Sequence, residues 1–221
     1  MPAKKVSSKK APKSGAKKVL DSIISVIIDE SGSMGPCRAD TIGGFNVFIK
    51  EQKAVKGKAT LTLTKFNDSV SIPYADKDIK DVEDLTELAY CPNGCTALFD
   101  AIGKTINAIE AKLTPKTKKN KILVVIMTDG AENASREYNS EAIKKLIEGK
   151  TAEGNWSFVF LGANQDAILS AKSLGVLHSN SANYSTNNMK GTMHNLSVAT
   201  CSYRSAAGGQ SANFFDGKKN I

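Results

Sequence analysis

Three stretches of this chain are apolar at nearly every position: VLDSIISVII (19–28), KILVVIM (121–127) and NWSFVFLGA (155–163). A strand with one wet face would alternate, so continuous runs rich in Val and Ile predict strands covered on both sides. The first is expected at the centre of a sheet. Elsewhere the period changes. Residues 39–54 place Ile42, Phe45, Val47, Phe48 and Ile49 at spacings that predict a helix with one buried face. Pro36 suits its first turn, and Gly43 and Gly44 weaken it in exchange for close packing on the sheet.

Residues 58–75 alternate through Leu61, Leu63 and Phe66, pass Asn67 and Asp68, and resume with Val70, Ile72 and Tyr74. That is a hairpin pattern, and Pro73 puts its second strand at an edge. An acidic crossing (76–87) leads to a helix beginning near Thr96, with Leu98, Ile102, Ile106, Ile109 and Leu113 at helical spacing, and then to the basic loop TPKTKKNK. SREYNSEAIKKLIEGKTAEG (135–154) predicts a helix closed by Gly154, and QDAILSAKSLG another. A short strand around VLH (176–178) and a last helix within 187–207 complete the body. The order of elements predicts an α/β fold: a doubly wound, mostly parallel central sheet with one antiparallel edge strand and helices on both faces.

The chain has 221 residues and no break in composition, so one domain is expected over 19–206, with a loose C-terminal segment over 207–221. Charge separates off the other end. Residues 1–18 hold seven lysines (Lys4, Lys5, Lys9, Lys10, Lys13, Lys17 and Lys18) and no acid, which leaves +1 of the formal +8 for everything else. With Val6 as its one large aliphatic, this tail cannot offset the cost of ordering and is expected to be disordered. It reads either as a salt-sensitive arm for nucleic acid phosphates or as a solvated, solubilising arm.

No apolar stretch of signal length follows those lysines and none is long enough to span a bilayer, so a cytoplasmic protein without membrane contact is expected. Cys37, Cys91, Cys95 and Cys201 then read as free thiols. Cys91 and Cys95 have a spacing compatible with zinc, but His178 and His194 lie far along the chain in unrelated patterns and do not complete a ligand set.

In a doubly wound sheet, ligands bind beyond the carboxyl ends of the strands, where neighbouring crossovers leave on opposite faces. The polar residues there are Asp29, Ser31 and Ser33 after the first buried strand, and Thr128 with Asp129 after the second. Thr96 reaches the same rim from a third loop. Two carboxylates and three hydroxyls (Asp29, Asp129, Ser31, Ser33, Thr96) make an all-oxygen set, which suits Mg²⁺ or Mn²⁺ better than zinc. Residues two apart in an extended loop project to one side, so Asp29, Ser31 and Ser33 converge while Glu30 and Gly32 turn away. Hydroxyls add no charge, so such a metal would stay electrophilic and open to a further carboxylate.

DESGSM (29–34) matches the D-x-S-x-S motif of von Willebrand factor A-type domains, whose metal-ion-dependent adhesion site it resembles; CTALFDAI is similar to the family's threonine loop and MTDGAEN to its T-D-G-x-x-N turn. The resemblance spans about residues 19–206 and implies a Rossmann-like fold of the small bacterial or phage-like intracellular type. It implies that Ser31 and Ser33 ligate the metal directly, Thr96 directly or through water, Asp29 and Asp129 mostly through water, and that Asn133 braces the last loop. It also implies a protein partner that supplies an acidic residue to the metal, often beside a separate ATPase of the AAA+ class. Gly94 and Cys95 stand where the family often has two glycines.

The leading expectation is therefore a metal-dependent protein-binding module and not an enzyme. One alternative is a nucleic-acid-associated protein acting through its tail. Another is a Mg²⁺-dependent phosphohydrolase, but Ser31 occupies the place where such enzymes need a second carboxylate.

Overall fold

The computed structural model describes residues 20–163, 165–184, 188–206, 208 and 213–215, with backbone alone for 165–168. The lysine-rich tail lies outside the described residues. The sheet has six strands: β1 (Ser22–Asp29), β2 (Ala59–Phe66), β3 (Val70–Asp78), β4 (Lys121–Thr128), β5 (Trp156–Gly162) and β6 (Ser181–Asn183). They lie in the order β3-β2-β1-β4-β5-β6, with β3 the one antiparallel neighbour, at an edge. β1 is central, and β1 and β4 are buried at every position.

Five helices cover the sheet: α1 (Arg38–Ala54), α2 (Leu98–Lys112), α3 (Ser140–Ala152), α4 (Gln165–Ser173) and α5 (Met189–Ser205). The alternation along the strands divides the core into two layers. Ile24, Val26 and Ile28 of β1 pack with α1 and α5. Ile23 and Ile27 pack with α2 and α3 on the opposite face. Among the described residues no helix is long and apolar enough to cross a membrane.

Several expectations need correction. Gly44 packs on α5 and not on the sheet: a Cβ there would lie 2.6 Å from Met193 Cγ. Val47 is 43% exposed, off the buried face formed by Phe45, Phe48 and Ile49. The strand near residue 177 forms at Ser181–Asn183, after a 3-10 turn at His178–Asn180. The helix expected from residue 135 starts at Ser140, because side chains of Asp100 and Glu132 take the backbone N–H groups of residues 134–138 and Asn139 caps the helix by accepting from Ala142 N. In the C-terminal segment expected to be loose, Phe214 and Phe215 are buried, edge-to-face with each other, with Phe214 against Tyr203.

Candidate metal centre

Because β1 connects to β2 on one side of the sheet while β4 lies on its other side, crossovers diverge at the carboxyl ends of β1 and β4. Ile28 pairs with Met127, which sets Asp29 level with Thr128. Three loops meet at this point, and all five expected oxygen donors lie on them.

Asp29 is fully buried; its Oδ1 accepts from Ser31 N at 2.7 Å and its Oδ2 from the Thr128 hydroxyl at 2.5 Å. Ser31 Oγ lies 3.1 Å from Ser33 Oγ, and the Ser33 hydroxyl donates to Asp129 Oδ1 at 2.6 Å. One chain of polar contacts thus runs Thr128, Asp29, Ser31, Ser33, Asp129. Thr96 completes the set from the third loop. A Cβ on Gly130 would sit 3.3 Å from Thr96 Oγ1 and 3.8 Å from Ser33 Oγ, so a side chain there would crowd Thr96 and touch Ser33.

The local backbone explains this convergence only in part. Ser31 is extended (φ −69°, ψ 165°), as expected, but Gly32–Cys37 is a 3-10 turn, so Ser33 is placed by that turn and not by strand alternation. Ser31 occupies the N-cap position of the turn without committing its side chain to a cap bond. Its hydroxyl stays directed at the other donors.

Glu30 does turn away. Its carboxylate pairs with Lys65 at 3.0 Å and accepts from Cys91 N at 2.6 Å. The β1 end is held further by Tyr90, whose hydroxyl donates to Asp29 O at 2.7 Å, and by Gly32 N donating to Gly94 O at 3.1 Å. Asn133 braces Thr96 reciprocally: Asn133 Oδ1 accepts from Thr96 N at 2.8 Å, and Asn133 N donates to Thr96 O at 3.0 Å. Beneath it, Glu132 accepts from Phe99 N at 2.8 Å and Asp100 from three further N–H groups, fastening this loop to the start of α2.

Burial pushes the Asp29 carboxyl up from its ordinary value, against the opposing hydrogen bonds of Ser31 and Thr128, and the charge of Asp129 adds to the rise. Two carboxylates approaching one point with hydroxyls between them is a repulsive arrangement that a divalent cation would relieve. The donor set therefore fits a hard cation. Among the described residues no three of His, Cys, Asp and Glu gather as a metal cluster, so a cation here would rest on hydroxyls and two aspartates.

Sequence reasoning missed the bonds of Tyr90, which lies outside any motif, and of Glu30, which fills a variable position within one. Thr128 was legible at the rim, but its bond to Asp29 was not.

No family model matches the chain, and no curated protein matches it. Solved structures do. The vWF domain of the type V pili tip protein Mfa5 from Porphyromonas gingivalis has a TM-score of 0.65 at 13% identity, over 86% of this chain and 98% of that one. Proximal thread matrix protein 1 from the mussel byssus, with a zinc-occupied MIDAS motif, has 0.57 at 15%, over 84% of this chain and 47% of that one. Manganese-loaded TRAP protein from Plasmodium vivax has 0.57 at 18%, over 76% and 70%. This chain spans about half the length of the mussel protein. Its fold is that of a von Willebrand factor A-type domain.

Proposed function

We propose that this chain is a metal-dependent protein-binding module, in which Asp29, Ser31, Ser33, Thr96 and Asp129 hold Mg²⁺ or Mn²⁺ and the metal takes an acidic side chain from a partner. The observation that carries the reading is the unbroken polar chain from Thr128 through Asp29, Ser31 and Ser33 to Asp129, at the divergence of β1 and β4. Zinc and manganese at similar folds support a divalent cation. Oxygen donors without imidazole or thiolate favour the harder ions.

A metal held by two aspartates keeps enough positive character to take a carboxylate at an open position. Leu88, 95% exposed on the loop that carries Tyr90, is an apolar side chain free for a partner to cover. Its loop is tied down at several points: Arg38 donates to Tyr90 O at 3.0 Å and, by a second bond, to Glu87 O, while Lys65 donates to Ala89 O. The resemblance directs the partner search to ATPases of the AAA+ class. Four free thiols, two of them exposed, fit a reducing, cytoplasmic setting. Ser31 in place of a second carboxylate, with His194 engaged by Glu51 instead of the site, argues for binding over phosphoryl chemistry.

The test is isothermal titration of Mg²⁺ and Mn²⁺ into metal-stripped protein, beside Asp29→Ala and Ser31→Ala. Saturable binding that both variants lose is expected, and pull-downs should then recover a partner only without chelator. Equal binding by wild type and both variants would overturn the reading.

A further inference from the structure

The +1 charge outside the tail hides a segregation that only the fold makes visible. All strands but β3 run the same way, so the loops that precede them meet at one edge of the sheet, opposite the candidate metal centre. That edge carries Lys56 and Lys58 before β2, and Lys112, Lys116, Lys118 and Lys119 before β4, all exposed. Among the described residues none of these six forms an ion pair.

Helix ends account for part of this charge. Lys53, Lys112, Lys150 and Arg204 fall in last turns, where the helix dipole favours cations. Arg204 and Lys121 are engaged by backbone: Arg204 donates to Gln52 O at 2.6 Å, and Lys121 to Tyr203 O at 2.7 Å and Arg204 O at 3.0 Å. Lys56, Lys58, Lys116, Lys118 and Lys119 lie outside every helix and strand, so neither cause explains them.

Three clefts open among these lysines. One of about 240 Å³ is lined by Lys58 and Lys112 with Asp21 and Asp76. A second, of about 220 Å³, is lined by Leu20, Asp21, Lys56, Lys58 and Arg204. The third, wider and more open, is lined by Leu20, Lys118, Lys119 and Glu153, the last paired with Lys150 at 2.7 Å. Leu20, the first of the described residues, borders two of the three. No aromatic ring and none of the large apolar side chains that are exposed line these clefts.

We infer that this edge is a binding surface for the phosphate backbone of nucleic acid. Unpaired lysines at loop tips, with no ring to stack on bases, suit sequence-independent contact driven by counterion release. The clefts offer no exposed large apolar side chain to insert, so they are poorly built for a bilayer. The module would then hold nucleic acid at one edge and a protein partner at the other.

The experiment uses the full chain and a fluorescein-labelled duplex of about 30 base pairs, with binding followed by anisotropy from about 50 to 200 mM salt. The variant carries K56Q, K58Q, K116Q, K118Q and K119Q together; K118E/K119E is a lighter second variant. The expected result is a salt dependence of log K that is shallower by about 0.9 for each phosphate no longer neutralised, and affinity at least about ten-fold weaker, with an unchanged melting curve. Asp29→Ala should bind the duplex as wild type does, which separates this surface from the metal reading. Wild-type affinity and slope in both lysine variants would overturn the inference, since the tail alone would then carry binding. So would a wild type that ignores the duplex, or that binds phosphatidylserine vesicles in its place.

Discussion

Asp100 holds three consecutive backbone N–H groups of the loop after β4. It is 6% exposed, its Oδ1 accepts from Glu137 N at 3.0 Å and Tyr138 N at 2.9 Å, and its Oδ2 from Arg136 N at 2.9 Å. Asp100→Asn keeps one oxygen but turns an NH₂ toward the Arg136 N–H, donor against donor. A charge-assisted bond is removed (about 1.5–3 kcal/mol), and one donor is left unmatched near the surface, at the low end of about 1–3 kcal/mol.

A total near 3 kcal/mol lowers the melting temperature by about 6–12 °C for a domain of this size. Burial alone would raise the Asp100 carboxyl, but the three N–H groups outweigh it and, helped by Lys104, hold it below the ordinary range. The stabilisation is therefore fully present above the unfolded value of about 3.9 and is lost as pH falls through the lower folded value. Calorimetry of wild type and variant at about pH 7, 5 and 3 should show a gap that is constant at the first two and narrows at the third. A gap under about 1 °C at neutral pH, or one that persists undiminished in acid, would refute the reasoning.

Two further outcomes follow from the same geometry. Asn133→Ala removes the acceptor for Thr96 N while sparing the ligand set, so titration should show Mg²⁺ bound about 10-fold more weakly, with Asn133→Asp, which keeps the acceptor, closer to wild type. Gly44→Ala drives a methyl to 2.6 Å from Met193 Cγ, and chemical denaturation should show stability lower by about 1–3 kcal/mol, with Met193→Ala in the same chain recovering part of it.

Much of the candidate site was legible because its donors sit at the ends of strongly patterned strands. Asp29 follows SIISVII and Thr128 with Asp129 follows KILVVIM, so finding the strands located the rim. Ser31 and Thr96 were equally placed by their neighbours. What failed was local geometry overruled by distant side chains. The start of α3 slipped five residues because Asp100, on α2 before β4, and Glu132, within the loop itself, compete for the backbone that a helix would have used.

Hydrophobic period determined the α/β class and the central place of β1, since it reports which face of an element meets the core, while Pro73 marked β3 as an edge strand and the divergence of crossovers paired hydroxyl and carboxylate at one rim. Tertiary structure decided what periodicity does not encode: the Thr128 and Tyr90 bonds to Asp29, the packing of Gly44 on Met193, and the gathering of five loop lysines on one edge. Those interactions join residues far apart in the chain, and only the parallel stacking of strands brings their loops together.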